Sequence, residues 1–190
     1  YHRYSRTGGR PVAAVLAGLR DIHAKFGDTI QVAGAGTTGS AREMIKLLVG
    51  ADTAKNEITA HAIAATTCHP QTRTVLEIGG QDSKIILLRE QIVTDFAMNT
   101  VCAAGTGSFL DQQALRLGIP IEEFGLIALQ SNNRVRIAGR CTIFAESDMI
   151  HKQQTGHTKE DILAGLCRAL VLNYLNNVCR GKDIQEPILF

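Results

Sequence analysis

Apolar residues recur at helical spacing near the start of the chain. In PVAAVLAGLRDIHAKF (11–26) they fall at Val12, Val15, Leu16, Leu19, Ile22 and Phe26, with Pro11 where a first turn tolerates proline. A helix is therefore expected over 11–26. TIQVAGAG (29–36) has the pattern of a short strand running into a glycine turn. Residues 41–49 and 56–68 return to helical spacing, and the small residues Ala60, Ala62, Ala64 and Ala65 suit close packing. Between 74 and 97 the period changes. TVLEI, SKIILL and QIVTDF are three β-rich runs separated by GGQD and RE, the pattern of a β-meander. TVLEI is nearly all apolar, as a strand covered on both faces would be. Helical spacing resumes from about 105 to 129, breaks at the polar stretch 131–136, and continues over 144–153 and 158–180. PILF at 187–190 resembles the opening of a strand. Strands and helices alternating around a meander predict an α/β fold with a mixed sheet.

The 190 residues suit one domain or two small lobes with a real core. A net charge of +2 gives no case for nucleic acid or an anionic membrane surface as partner. No apolar run approaches the ~18 residues of a membrane span, and the polar, basic opening YHRYSRTGGRP is not a signal peptide. The first residue is not Met, as expected of a processed or excised piece. The five cysteines include no CxxC pair, and a chain with this much core has little need of disulfides. The expectation is a cytoplasmic protein with reduced thiols.

Three stretches carry candidate chemistry. In LEIGGQDSK (76–84), Gly79 and Gly80 let the backbone approach a ligand and aim N–H groups at it. Asp82 can reach a metal directly or through water, and Lys84, two residues on, leaves the same strand face. The alternative is a tight hairpin with glycine at positive φ and a surface Asp–Lys pair. Neither the P-loop spacing nor the dinucleotide-binding GxGxxG is present. In NTVCAAGTGSFLD (99–111), Cys102 precedes the small-residue loop holding Gly105, Thr106 and Gly107. A helix starting near Gly105 would put Cys102 at its positive end, which favours thiolate. In GRCTIFAESDM (139–149), Cys141 again follows a glycine and precedes a helix. Cys68, Cys167 and Cys179 fall inside helical patterns, where a thiol usually packs as a small hydrophobe. Cys102 and Cys141 could be two unrelated thiols, a redox disulfide, or half of a four-cysteine metal site completed by a two-fold partner.

Together, VLEIGGQDSK, NTVCAAGTGSFLDQQA and GRCTIFAESDMI resemble the ATP-dependent activators of 2-hydroxyacyl-CoA dehydratases, with relatives among benzoyl-CoA reductase systems and the large CoA-substrate-specific enzyme activases. The likeness runs from about Thr37 to the C-terminus. It implies the actin-like (ribonuclease H-like) ATPase fold, here a partial copy. The chain would be the central segment of one ATPase domain, with about 1–98 ending a first lobe and opening the second, and about 99–190 forming the helical cluster-binding part. The opening YHRYSRTGGRP would be an early strand of that fold. Gly79, Gly80, Gln81 and Asp82 would lie on its second phosphate loop, with ATP or ADP and Mg²⁺ as ligands, Asp82 as the catalytic carboxylate, and Lys84, Gly105, Thr106 and Gly107 beside the nucleotide. Cys102 and Cys141 would each ligate a [4Fe-4S] cluster shared by a homodimer, and ATP hydrolysis would drive an electron to an acyl-CoA dehydratase or reductase component.

The family's first phosphate loop and its adenosine loop are missing from this stretch, so hydrolysis is expected only of the full-length protein. Glu77 stands where related ATPases often carry Asp. Competing expectations are a non-redox binding or regulatory module on the same fold, or a sugar-kinase-like enzyme in which both cysteines are incidental.

Overall fold

In a computed structural model of the chain, residues 1–99, 103–133, 135–139 and 141–190 are described. They pack as two compact units, Tyr1–Ala64 and Ala65–Phe190.

The first unit begins with α1 (Pro11–Phe26), which ends at Gly27 with φ +51°. No strand forms over residues 1–10. That opening folds back on α1 instead: Arg3 pairs with Asp21, and the Tyr1 ring meets Phe26 edge-on at 6.1 Å. The strand expected at 29–36 is also reduced. Only Gly36 and Thr37 pair, as β1 (Gly36–Thr37), in parallel with β2 (Thr53–Ala54). Upstream, Ile30 and Val32 are 46% and 74% exposed. They have no neighbouring strand to satisfy their backbone, and the apolar run alone does not hold a strand. Between β1 and β2 lies α2 (Arg42–Val49), closed by the left-handed Gly50. Helix α3 (Glu57–Cys68) runs across the boundary between the units. Arg42 Nη1 reaches Glu57 Oε2 at 3.1 Å within the first unit. Cys68 is exposed at the end of α3, which corrects the expectation that it packs.

The second unit is built on the meander. Strands β3 (Thr74–Ile78), β4 (Ser83–Arg89) and β5 (Ile92–Asn99) pair antiparallel, and β6 (Ile188–Leu189) adds in parallel beside β3. The order β5-β4-β3-β6 is a mixed sheet, as expected. β4 lies between two strands and is buried on both faces, with Ile85 and Ile86 fully buried. The β4–β5 turn is the two-residue Glu90–Gln91, both at positive φ.

A short 3₁₀ turn, Ala103–Gly105, leads into α4 (Gly107–Arg116). The helical stretch expected from about 105 to 129 is present, interrupted at Gly118 and Pro120, after which α5 (Ile121–Ala128) follows. Helices α6 (Thr142–Gln154) and α7 (Lys159–Asn177) complete the unit. The α7 N-terminus is capped by Thr158, whose side chain accepts from the Asp161 N–H. Asp161 also accepts from Ser131 Oγ at 2.7 Å and the Asn133 N–H at 2.9 Å, and these bonds hold its carboxyl below the usual range. One core joins Phe109 and Ala114 of α4, Phe124 of α5, Ala145 and Met149 of α6, and Ile162, Leu163 and Leu166 of α7. A smaller one gathers Ile85, Tyr174, Val178 and Cys179 against the sheet. Cys167 and Cys179 are thus packing thiols, as expected, and burial pushes both pKa values up.

Candidate functional site: a glycine hairpin braced by a helix

The turn between β3 and β4 is Gly79-Gly80-Gln81-Asp82. The Gly79 N–H donates to the Asp82 carbonyl at 2.9 Å. Neither glycine has positive φ, so a left-handed turn does not account for them. At Gly79 the reason is space, since a Cβ would come within 2.8 Å of the Asp82 carbonyl and of Glu77 Oε1. At Gly80 a Cβ would meet nothing within 4 Å. The chain's own packing therefore does not explain Gly80. An approaching ligand would, because the exposed Gly80 and Gln81 N–H groups have no hydrogen-bond partner among the described residues.

The carbonyls of the same turn point to α4. The Gly107 N–H donates to Gly79 O at 2.8 Å and the Ser108 N–H to Gly80 O at 2.9 Å; Ser108 Oγ also donates to Gly80 O. A helix start normally leaves its first N–H groups without helical partners. Here two of them grip the hairpin, so its own N–H groups are left facing outward. Glycine at 107 eases this contact, because a Cβ would lie 3.3 Å from Gly79 O, closer than ordinary packing. Thr106 is fully buried, and a Cβ on Gly105 would sit 2.7 Å from Asn173 Oδ1. Of the expected nucleotide neighbours on this loop, Gly107 bonds the hairpin, while Gly105 and Thr106 are enclosed by the chain itself.

Behind the hairpin, Glu77 and Lys84 are register partners on β3 and β4. Lys84 Nζ reaches Glu77 Oε2 at 3.2 Å and also pairs with Asp82 Oδ1. The Lys84 side chain is 5% exposed, against 22% for Glu77 and 29% for Asp82. Burial alone would lower the ammonium pKa, but the bonds and charges of the two carboxylates outweigh it and hold the pKa above its ordinary value. Tyr174 of α7 donates its hydroxyl to the Lys84 carbonyl at 2.7 Å, pinning the strand. Asp82 Oδ2 has no partner among the described residues and remains available to a cation.

Cys141 is the residue before α6, with a free, partly buried thiol. Beside it, Ile143 and Phe144 are 72% and 64% exposed. Cys102 lies outside the described residues. Among the described residues no group of three His, Cys, Asp or Glu side chains is placed to hold a metal ion. No helix among them is long and apolar enough to cross a membrane. The sequence did not foretell the contact between α4 and the hairpin; its faint signal is the second glycine-bearing loop, AAGTGS, at a helix start.

Residues 10–190 match the BadF/BadG/BcrA/BcrD ATPase family. The chain is 36% identical over 177 residues to an (R)-2-hydroxyglutaryl-CoA dehydratase activating ATPase from Acidaminococcus fermentans, covering 92% of this chain and 66% of that protein. The crystal structure of component A of the dehydratase from the same organism superposes with a TM-score of 0.81 at 32% identity, covering 98% of this chain and 69% of that one. An activator of 2-hydroxyisocaproyl-CoA dehydratase from Clostridium difficile, solved with bound ADPNP, gives 0.80 at 32% identity, covering 97% and 66%. The chain thus spans about two thirds of the length of these relatives. Its mixed sheet and helices are part of the actin-like ATPase fold that these activators share.

Proposed function

The chain belongs to the BadF/BadG/BcrA/BcrD ATPase family, and on that premise we propose that it serves an ATP-driven activator that passes electrons to an acyl-CoA dehydratase or reductase component. The observation that carries the nucleotide half is the outward-facing Gly80–Gln81 backbone, held in place by α4. Two N–H groups without partners and a position with no room taken suit a phosphate. Lys84 offsets the charge of Glu77 and Asp82, so two carboxylates can stand beside that phosphate. The free Asp82 oxygen would hold Mg²⁺ directly or through water. Gly105, Thr106 and Gly107 act by fixing the start of α4 against the hairpin.

The electron-transfer half rests on Cys102 and Cys141. Cys141 fits a cluster ligand: its thiol is free, partly buried and set before a helix, among apolar side chains exposed enough for a second subunit to cover. Two such thiols from each subunit of a homodimer make the four ligands of a [4Fe-4S] cluster. When bound, the cluster supplies a one-electron carrier at the dimer face. The start of α4 links the two halves. It follows Cys102 closely in sequence and bonds both hairpin glycines.

The test is ATP hydrolysis by the intact activator. Asp82→Ala should lower kcat by about a hundredfold or more, the scale of removing one charge-stabilising contact at a reacting group. Gly80→Val should leave the fold intact, because the position is exposed and an added Cβ meets nothing within 4 Å, yet weaken ATP binding by about tenfold or more. Unchanged affinity and rate in both variants would place the nucleotide elsewhere.

A further inference from the structure

A concavity in the second unit lies away from the hairpin. It is a groove of about 1280 Å³ between the 135–139 segment, α6 and α7, and its walls include none of residues 79–84 or 103–107. Its floor is rigid for a reason legible in two glycines. A Cβ on Gly139 would come within 2.6 Å of the Ala169 carbonyl, and one on Gly165 within 2.8 Å of the Val135 carbonyl. Backbone therefore lies directly on backbone. Asn173 fastens the segment further, its Nδ2 donating to Gly139 O.

Four cations line this groove: Arg136, Lys152, Arg168 and Arg180. None of them takes part in an ion pair among the described residues, whereas Arg42, Lys84, Arg116 and Lys182 all do. Asp148 is the one acidic residue on the walls, and its Oδ2 accepts from the Ala138 N–H at 2.8 Å. Like charges gathered around one concavity repel each other and focus a positive potential into it. Guanidinium groups suit phosphate oxygens in particular, binding them two at a time. The lining also holds the exposed amide side chains of Asn176 and Asn177. An amide offers both a donor and an acceptor, which suits a ribose hydroxyl or a base edge as well as a phosphate. The volume exceeds the usual ~300–1,000 Å³ of a small-molecule site, so it has room for a ligand of nucleotide size.

We infer that this groove is a second ligand site, taking a multiply phosphorylated small molecule of nucleotide size and separate from the Gly79–Lys84 hairpin. The inference rests on the groove alone. It stands whether or not the hairpin binds ATP.

The experiment uses the intact protein carrying Gly80→Val, so that the hairpin's share of binding is suppressed. Titration calorimetry at low salt with inorganic pyrophosphate, ADP and coenzyme A reads the groove, and the relative affinities of ADP and coenzyme A identify which phosphorylated class it prefers. At least one of the three should bind at one site per chain. Binding should weaken about tenfold or more in Lys152→Gln/Arg168→Gln and survive in the charge-preserving Lys152→Arg/Arg168→Lys. The charge-preserving pair, with a thermal melt, separates loss of charge from loss of fold. Three results overturn the inference: no binding of any probe, binding undiminished by the glutamine pair, or binding only of an acidic polypeptide such as polyglutamate. Failure of the hairpin reading has its own signature, wild-type ATP hydrolysis in Gly80→Val.

Discussion

Lys84 shows how much one side chain carries. Its position two residues after Asp82 and its cross-strand register with Glu77 bring both carboxylates to one ammonium. Removing a buried partner leaves the others without compensation. Lys84→Ala is therefore expected to destabilise the protein by about 3 kcal/mol, the lower end of the range for broken buried pairs, because both carboxylates keep some exposure. Denaturant unfolding measures it. The sign of the pH dependence follows from the raised folded pKa. This contribution is fully present below the ordinary lysine value of about 10.4 and is lost as pH rises through the higher folded value. Wild type should lose stability across that alkaline window, and Lys84→Met should show a flatter limb there. The shared face of Asp82 and Lys84 was legible from the two-residue period. The burial was not, because the local pattern does not say what covers that face of the sheet.

At the scale of elements, period and punctuation went far. The α1 helix, the meander and the helices before and after the 131–136 break stand where the spacing puts them. The strand expected at 29–36 failed for a physical reason: a strand needs a neighbour, and local pattern cannot say whether one is supplied. The break between α4 and α5 was written in Gly118 and Pro120 but was masked by apolar spacing that continues across it. Least legible were close approaches between elements. Gly139 and Gly165 carry no motif, yet both sit where backbone meets backbone. Gly139→Ala should cost about 1–3 kcal/mol, the usual range for overpacking, and lower Tm accordingly. Gly125→Ala, whose added Cβ would meet nothing within 4 Å, should be stabilising or neutral, since it replaces a poor helix former inside α5 with the best one. Equal effects at the two sites would contradict the packing argument.

For the whole molecule, the account joins a nucleotide hairpin to a pair of cysteines through the start of one helix. The hairpin was legible as GGQD, and family membership confirms the resemblance on which the fold was expected. The brace between α4 and Gly79–Gly80 came only from the fold. The claim that separates an electron-transferring activator from a regulatory module or a sugar-kinase-like enzyme is the cluster at Cys102 and Cys141. Iron and acid-labile sulfide analysis of anaerobically purified intact protein tests it most directly. The account predicts brown protein with about four irons and four sulfides per dimer, lost in Cys141→Ala and kept in Cys167→Ala, whose thiol packs in the core. A folded, colourless anaerobic dimer without iron would contradict it.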